Sequence, residues 1–194
     1  MEKHIGRLKL KDKKMSEADY DISIIRPRLN SNDFKLRAKG IAPERLKAIK
    51  KALLTLHTLE LMAITVYRFQ ITRADTELNR QLIAAMCNEM THYQDFQVKL
   101  YEYGFKPNPF RWAYWIVGFV FGFGSKILGE KMMLKTGIWV ENKAVNHYAD
   151  LLETIEWDAD TRKIVEKNQA DEKGHVHNWK CFLNSSEYEK TDMH

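Results

Sequence analysis

Two Glu-x-x-His pairs, Glu89 with His92 and Glu172 with His175, constrain this chain more than any other feature of it. Three residues apart on an α-helix, a carboxylate and an imidazole stand side by side on one face. With 15 Glu and 7 His in 194 residues, chance supplies about half of one such pair. Two pairs, each preceded by a lone glutamate on an earlier helical segment, point to an all-α four-helix bundle with two metal ions in its core.

The periodicity places all six groups on inward faces. A helix opening at Pro43, a residue suited to a first turn, carries the stripe Leu53, Leu56, Glu60, Ala63, Tyr67 and runs to about Arg73. A second, capped by Asp75 or Thr76 and stopped at Gly104, carries Leu82, Ala85, Glu89, His92, Phe96, Leu100, Tyr103. A third, over about residues 130–156, carries Leu134, Ile138, Glu141, Val145, Tyr148, Leu152, Ile155. The fourth, from an Asp158 cap to about Leu183, carries Ile164, Asn168, Glu172, His175, Trp179, Phe182. Glu60 to Glu89 is 29 residues and Glu141 to Glu172 is 31, by subtraction of their numbers. At about 1.5 Å per residue, that is the length needed to finish one helix, turn, and climb back to the same level on the next. The chain therefore reads as two helical hairpins joined by a long crossover.

Four inward carboxylates at one level would repel each other unless a cation neutralised them. The candidate metal ligands are Glu60, Glu89, His92, Glu141, Glu172 and His175. This mixed oxygen and nitrogen set, without thiolates, suits iron or manganese better than zinc or copper. Two iron ions are favoured for oxygen chemistry, with manganese as the alternative. Asp171 and Asn88 each precede a ligand glutamate and lie about 100° round the helix from it. They are expected to reach the free ring nitrogens of His92 and His175 and so orient those rings. His57, one turn before Glu60, and Tyr67, two turns after it, are candidate catalytic residues beside the metals. His147 and His177 do not fall where ligands are needed.

Between the hairpins lies FRWAYWIVGFVFGFGSKILG, uncharged from Trp112 to Gly124. It is shorter than the roughly 20 apolar residues of a membrane span. We expect residues 110–128 to lie against a bilayer interface, with Trp112, Trp115 and Phe119 at a substrate entrance, and Gly118 and Gly122 to permit a close helix contact. Residues 1–51 hold 15 Lys and Arg against 7 Asp and Glu, or +8; the rest hold 16 against 19, or −3. Residues 1–40 read as a basic N-terminal arm attracted to an anionic membrane surface. The arm shows no nucleic-acid module, and the start has no apolar leader segment. Residues 185–194 read as a frayed polar tail. Cys87 and Cys181 fit no zinc or redox spacing and read as reduced core thiols.

With these residues in place, the sequence resembles the demethoxyubiquinone hydroxylase family of ubiquinone biosynthesis, a ferritin-like di-iron group. The likeness covers about residues 50–183 and is densest from Pro109 to Leu152, with its Trp- and Gly-rich segment, Val-Glu and His-Tyr. The family's six ligands fall on Glu60, Glu89, His92, Glu141, Glu172 and His175, and Tyr67 and Gln70 match its first-helix pattern. The first motif departs from the family: LHTLE keeps His57 and Glu60 without the family's Asp and Gly, and Thr65 stands where the family has an Arg. The resemblance implies a ferritin-like bundle, an O2-dependent monooxygenase acting on a quinone-type ring, an electron donor it does not identify, and a peripheral membrane location on the cytoplasmic or organelle-matrix side. A rubrerythrin-like peroxide or oxygen reductase and a non-catalytic iron-binding membrane-surface protein are the alternatives. The chain could also form a homo-oligomer.

Overall fold

The computed structural model describes residues 29–191, with side chains as far as residue 184. Every regular element among them is helical. Residues 29–35 are a unit of their own, with one 3-10 turn, Ser31–Asp33, closed by the Asn30 backbone N–H donating to the Asp33 carboxylate at 2.6 Å. The rest of the basic arm, and whatever it binds, lies outside the described residues.

Residues from Leu36 onward carry five helices: α1 (Pro43–Gln70), α2 (Glu77–Glu102), α3 (Arg111–Ile127), α4 (Glu130–Thr154) and α5 (Ala159–Thr191). Pro43 sits in the first turn of α1. Thr76, not Asp75, caps α2: its hydroxyl accepts the Asn79 backbone N–H at 3.2 Å, while Asp75 pairs with Arg80. Gly104 ends that helix with φ +74, a conformation that costs glycine little. The Asp158 carboxylate caps α5 by accepting the backbone N–H groups of Asp160 and Thr161 at 3.1 and 3.2 Å. The α5 backbone continues to Thr191, past the end expected near Leu183. Arg37 ties the approach to α1 onto the bundle: its guanidinium donates to Glu102 at 2.8 Å, Asp158 at 2.6 Å and Asp160 at 3.0 Å. Residues 36–40 thus belong to the bundle.

α1 pairs with α2 and α4 with α5, giving the two hairpins. Two apolar clusters fill the bundle, one around Leu53, Leu56, Phe96, Leu100 and Tyr148, the other around Tyr67, Leu82, Met133, Leu134 and Trp179. The Glu and His residues at mid-helix lie at the level between them, which keeps water away from both sides.

The crossover helix α3 lies along α1. A Cβ at Gly118 would stand 2.6 Å from the Met62 carbonyl oxygen, and one at Gly122 would stand 2.4 Å from that of Val66. Glycine at both positions is what lets the two backbones touch. Thr65 is part of this contact, since the same Cβ at Gly118 would meet its Cβ at 2.8 Å. A long arginine side chain at position 65 would therefore collide with α3. The opposite face of α3 is exposed and apolar, including Trp112, Trp115, Ile116, Val120 and Phe123. No described helix is long and apolar enough to cross a membrane. Cys87 and Cys181 are exposed, not core thiols as expected. They share their helices with the inward stripes but fall on the outer faces.

Candidate metal centre

α1 and α4 each contribute one glutamate to the centre, and α2 and α5 each contribute a Glu-x-x-His pair. Glu60, Glu89, His92, Glu141, Glu172 and His175 are all buried, none more than 6% exposed. They form two groups, Glu60–Glu89–His92–Glu172 and Glu89–Glu141–Glu172–His175, each with one oxygen or nitrogen per residue lying within 4.8 Å of the others. Glu89 and Glu172 belong to both groups and would be shared if each group held a cation.

The unpartnered atoms test whether a metal fits. Both oxygens of Glu89, both of Glu172, Oε2 of Glu141 and Nδ1 of His92 and His175 are buried without an aligned hydrogen bond. Nδ1 of His92 lies 3.1 Å from Glu172, and Nδ1 of His175 lies 3.1 Å from Glu89. These separations suit ion pairs, yet the lone pairs converge on shared space and do not point at each other. Lone pairs converging in a dry core are what two divalent ions require.

Protonation follows from the same crowding. Burial would lower His92, but the Glu172 and Glu89 carboxylates override it and push the ring up to about 11. His175, under the same opposition, rises to about 9. Burial, then the charges of Glu89 and Glu172, raise Glu60 well above the carboxylate range. Burial and Glu172 do the same to Glu141. Burial would raise Glu172 as well, but His175 and His92 on either side hold it low.

The outer ring nitrogens have partners on the facing helix. Nε2 of His92 lies 3.2 Å from the Asp171 carboxylate, and the Asn88 side-chain amide lies 3.2 Å from Nε2 of His175. Asp171 accepts the His92 ring proton, and Asn88 can accept that of His175 through its oxygen after a half-turn about χ2. Each arrangement leaves Nδ1 as the lone pair facing the centre. Tyr67 donates to Oε1 of Glu141, and Tyr148 donates to Oε1 of Glu60 at 2.5 Å. Each tyrosine thus holds the glutamate of the other hairpin.

The structure does not bring His57 to this cluster. Its ring stacks on Tyr93 with centroids 4.1 Å apart, and its Nε2 lies 3.4 Å from Gln97. A cavity of about 310 Å3 does reach the cluster, between α1 and α4. Glu60, Glu89, Glu141, Glu172 and Tyr148 form its polar floor; Leu56, Leu59, Met62, Ala63, Val140 and Ala144 form its walls; Trp139, Lys143 and His147 complete the lining. Trp112, Trp115 and Phe119 do not line it. α3 lies on the outer side of α1, so its aromatics pack on Phe69, with ring centroids 5.9 Å away for Trp115 and 4.8 Å for Phe119. The entrance residues missed in the sequence, Trp139, Lys143 and His147, do carry a signal: they recur every four residues on one face of α4. Nε2 of His147 is buried without a partner, and burial lowers its pKa, leaving a neutral imidazole against the cavity.

A family model described as ubiquinone biosynthesis protein COQ7 matches residues 47–181, a span that includes all six clustered residues, both tyrosines and α3. No curated protein matches the chain.

Proposed function

Because the chain belongs to the COQ7 family of ubiquinone biosynthesis proteins, we propose that it is a di-iron monooxygenase that uses O2 to hydroxylate a quinone-type ring. The observation that carries this reading is the cavity, whose apolar walls end on the clustered carboxylates. A flat ring with an apolar tail suits such a space, with the ring against the polar floor and the tail leaving past Leu59 and Met62. The six clustered residues would hold two iron ions, which supply O2 activation by giving up and regaining electrons as a pair, the electrons coming from a donor outside the chain. Carboxylates suit this task because they can change between one-oxygen and bridging attachment without leaving the site.

The chain's own groups supply the remaining parts. Tyr148 lines the cavity and holds Glu60, so it stands between ring and ligand. The neutral His147 imidazole can accept or donate a hydrogen bond to a ring oxygen. The apolar walls of the cavity limit the water that can reach a bound ring and the carboxylates beside it.

The reading extends to a peripheral membrane location, on the cytoplasmic or organelle-matrix side. Phe121, on the exposed face of α3, stacks on Trp139 with ring centroids 5.4 Å apart, and Trp139 lines the cavity. The exposed apolar face is therefore continuous with the cavity lining. A tailed ring could pass from a bilayer held against that face into the cavity without crossing water.

The test supplies reduced, iron-loaded protein with demethoxyubiquinol and isotopically labelled O2. One labelled oxygen atom per ring is expected in the product. Rapid consumption of hydrogen peroxide with no labelled ring would replace this function with peroxide reduction.

A further inference from the structure

The two hairpins repeat one pattern of ligands and tyrosines, and it is broken where the tyrosines are held, as it is at Asp171 and Asn88. Tyr67 follows Glu60, and Tyr148 follows Glu141, each by seven residues when the numbers are subtracted. Each donates to the other hairpin's glutamate. The residue four past His175 is Trp179, and the residue four past His92 is Phe96. Phe96 packs near the Tyr148 ring, centroids 6.0 Å apart, and offers no donor. Trp179 donates its indole N–H to the Tyr67 hydroxyl oxygen at 3.0 Å.

That hydrogen bond has a directional consequence. With the Tyr67 oxygen accepting from the indole, its own proton goes to Glu141. Tyr67 thereby fixes Oε1 of Glu141, which lies 3.8 Å from Nδ1 of His175, while Oε2 is buried without a partner. Tyr148 holds Glu60 with no such anchor. The anchor is itself built in: Trp179 is buried, and the three atoms nearest a Cβ at Gly137 on α4 would all belong to its indole, at 3.1, 3.2 and 3.4 Å. Gly137 makes room for the ring at the place where it reaches Tyr67.

From this we infer that Trp179 is a positioning residue which acts through Tyr67 to fix the orientation of Glu141, making the two metal positions inequivalent. The position containing Glu141 and His175 is the more firmly held one; the position containing Glu60 and His92 lacks the indole anchor. This rests on the metal centre, but not on the identity of the substrate.

The experiment titrates the metal-free full chain with Co2+ without oxygen, and follows the visible absorption of the bound ion. Two Co2+ sites are expected in the unaltered protein. Trp179→Phe, which keeps an aromatic ring but removes the donor, should weaken one of the two by about tenfold and alter its spectrum, leaving the other unchanged. Tyr67→Phe should weaken the same site at least as much. The double variant should match Tyr67→Phe alone, since Trp179 has no effect once its intermediary is gone. Gly137→Ala, which displaces the indole from a different helix, should reproduce the Trp179→Phe spectrum; it also guards against a folding defect caused by loss of indole volume. Unchanged binding in Trp179→Phe and Gly137→Ala, or a further loss in the double variant, would overturn the inference and leave Trp179 as packing. Failure of the unaltered protein to take up Co2+ would overturn the metal centre itself.

Discussion

At the scale of single residues, the raised histidines and glutamates of the centre make the stability of the metal-free chain depend on pH. His92 and His175, pushed up to about 11 and about 9 from an ordinary 6.5, stabilise the metal-free fold fully below that ordinary value. The contribution is lost as pH rises through the folded values, because the folded chain holds protons that the unfolded chain has released. Glu60 and Glu141, also raised, act in the same direction from lower pH, whereas Glu172, held low, is constant throughout the alkaline window. The midpoint of thermal unfolding of metal-free protein should therefore fall by several degrees between about pH 6.5 and 10, and metal-loaded protein should not follow it; equal slopes in the two forms would contradict this account. Glu141 belongs to one of the two groups and has no substitute nearby. Glu141→Ala should reduce metal content from two ions per chain to one or none by elemental analysis, and retention of two would remove Glu141 from the ligand set.

At the scale of elements, four of the five helices announce their inner face through their stripe. α3 does not, because its large apolar side chains lie on the exposed face and its packed face is built from small residues, Gly118, Gly122 and Ser125. Only its glycines show where it packs, and they make a direct test. Gly122→Ala places a Cβ 2.4 Å from the Val66 carbonyl oxygen, where both partners are backbone and neither can step aside. It should cost about 1–3 kcal/mol in chemical denaturation, or detach α3. Gly124 on the same helix meets nothing within 4 Å; Gly124→Ala should be neutral or stabilise by about 0.5–1 kcal/mol, since alanine loses less backbone freedom in a helix. Equal effects at both positions would mean the α1–α3 contact is looser than described.

At the scale of the whole molecule, the exposed apolar side chains of α3, Trp112, Trp115, Ile116, Val120 and Phe123, form the surface that the proposed membrane location would use. It should bind anionic liposomes at low salt, with a blue shift of tryptophan fluorescence, and Trp112→Ser with Trp115→Ser should reduce binding at least several-fold while leaving helix content unchanged. A protein that stays free of liposomes under those conditions, or a double variant that binds as well as the parent, would remove the membrane from the proposed function.

The sequence by itself determined the helices, the hairpins and the six clustered residues, because a 3.6-residue period assigns a face and an i, i+3 pair assigns two neighbours using local geometry alone. Asp171 and Asn88 were legible for the same reason, each being one step round from a placed glutamate. The tertiary structure decided what depends on groups far apart in the chain. It made Glu89 and Glu172 the shared pair, and it crossed Tyr67 to Glu141 and Tyr148 to Glu60. It left His57 stacked on Tyr93, turned both cysteines outward, and opened the cavity along Trp139, Lys143 and His147 instead of α3. A period states which way a side chain leaves its own helix; which group it meets is set by how the helices pack against one another.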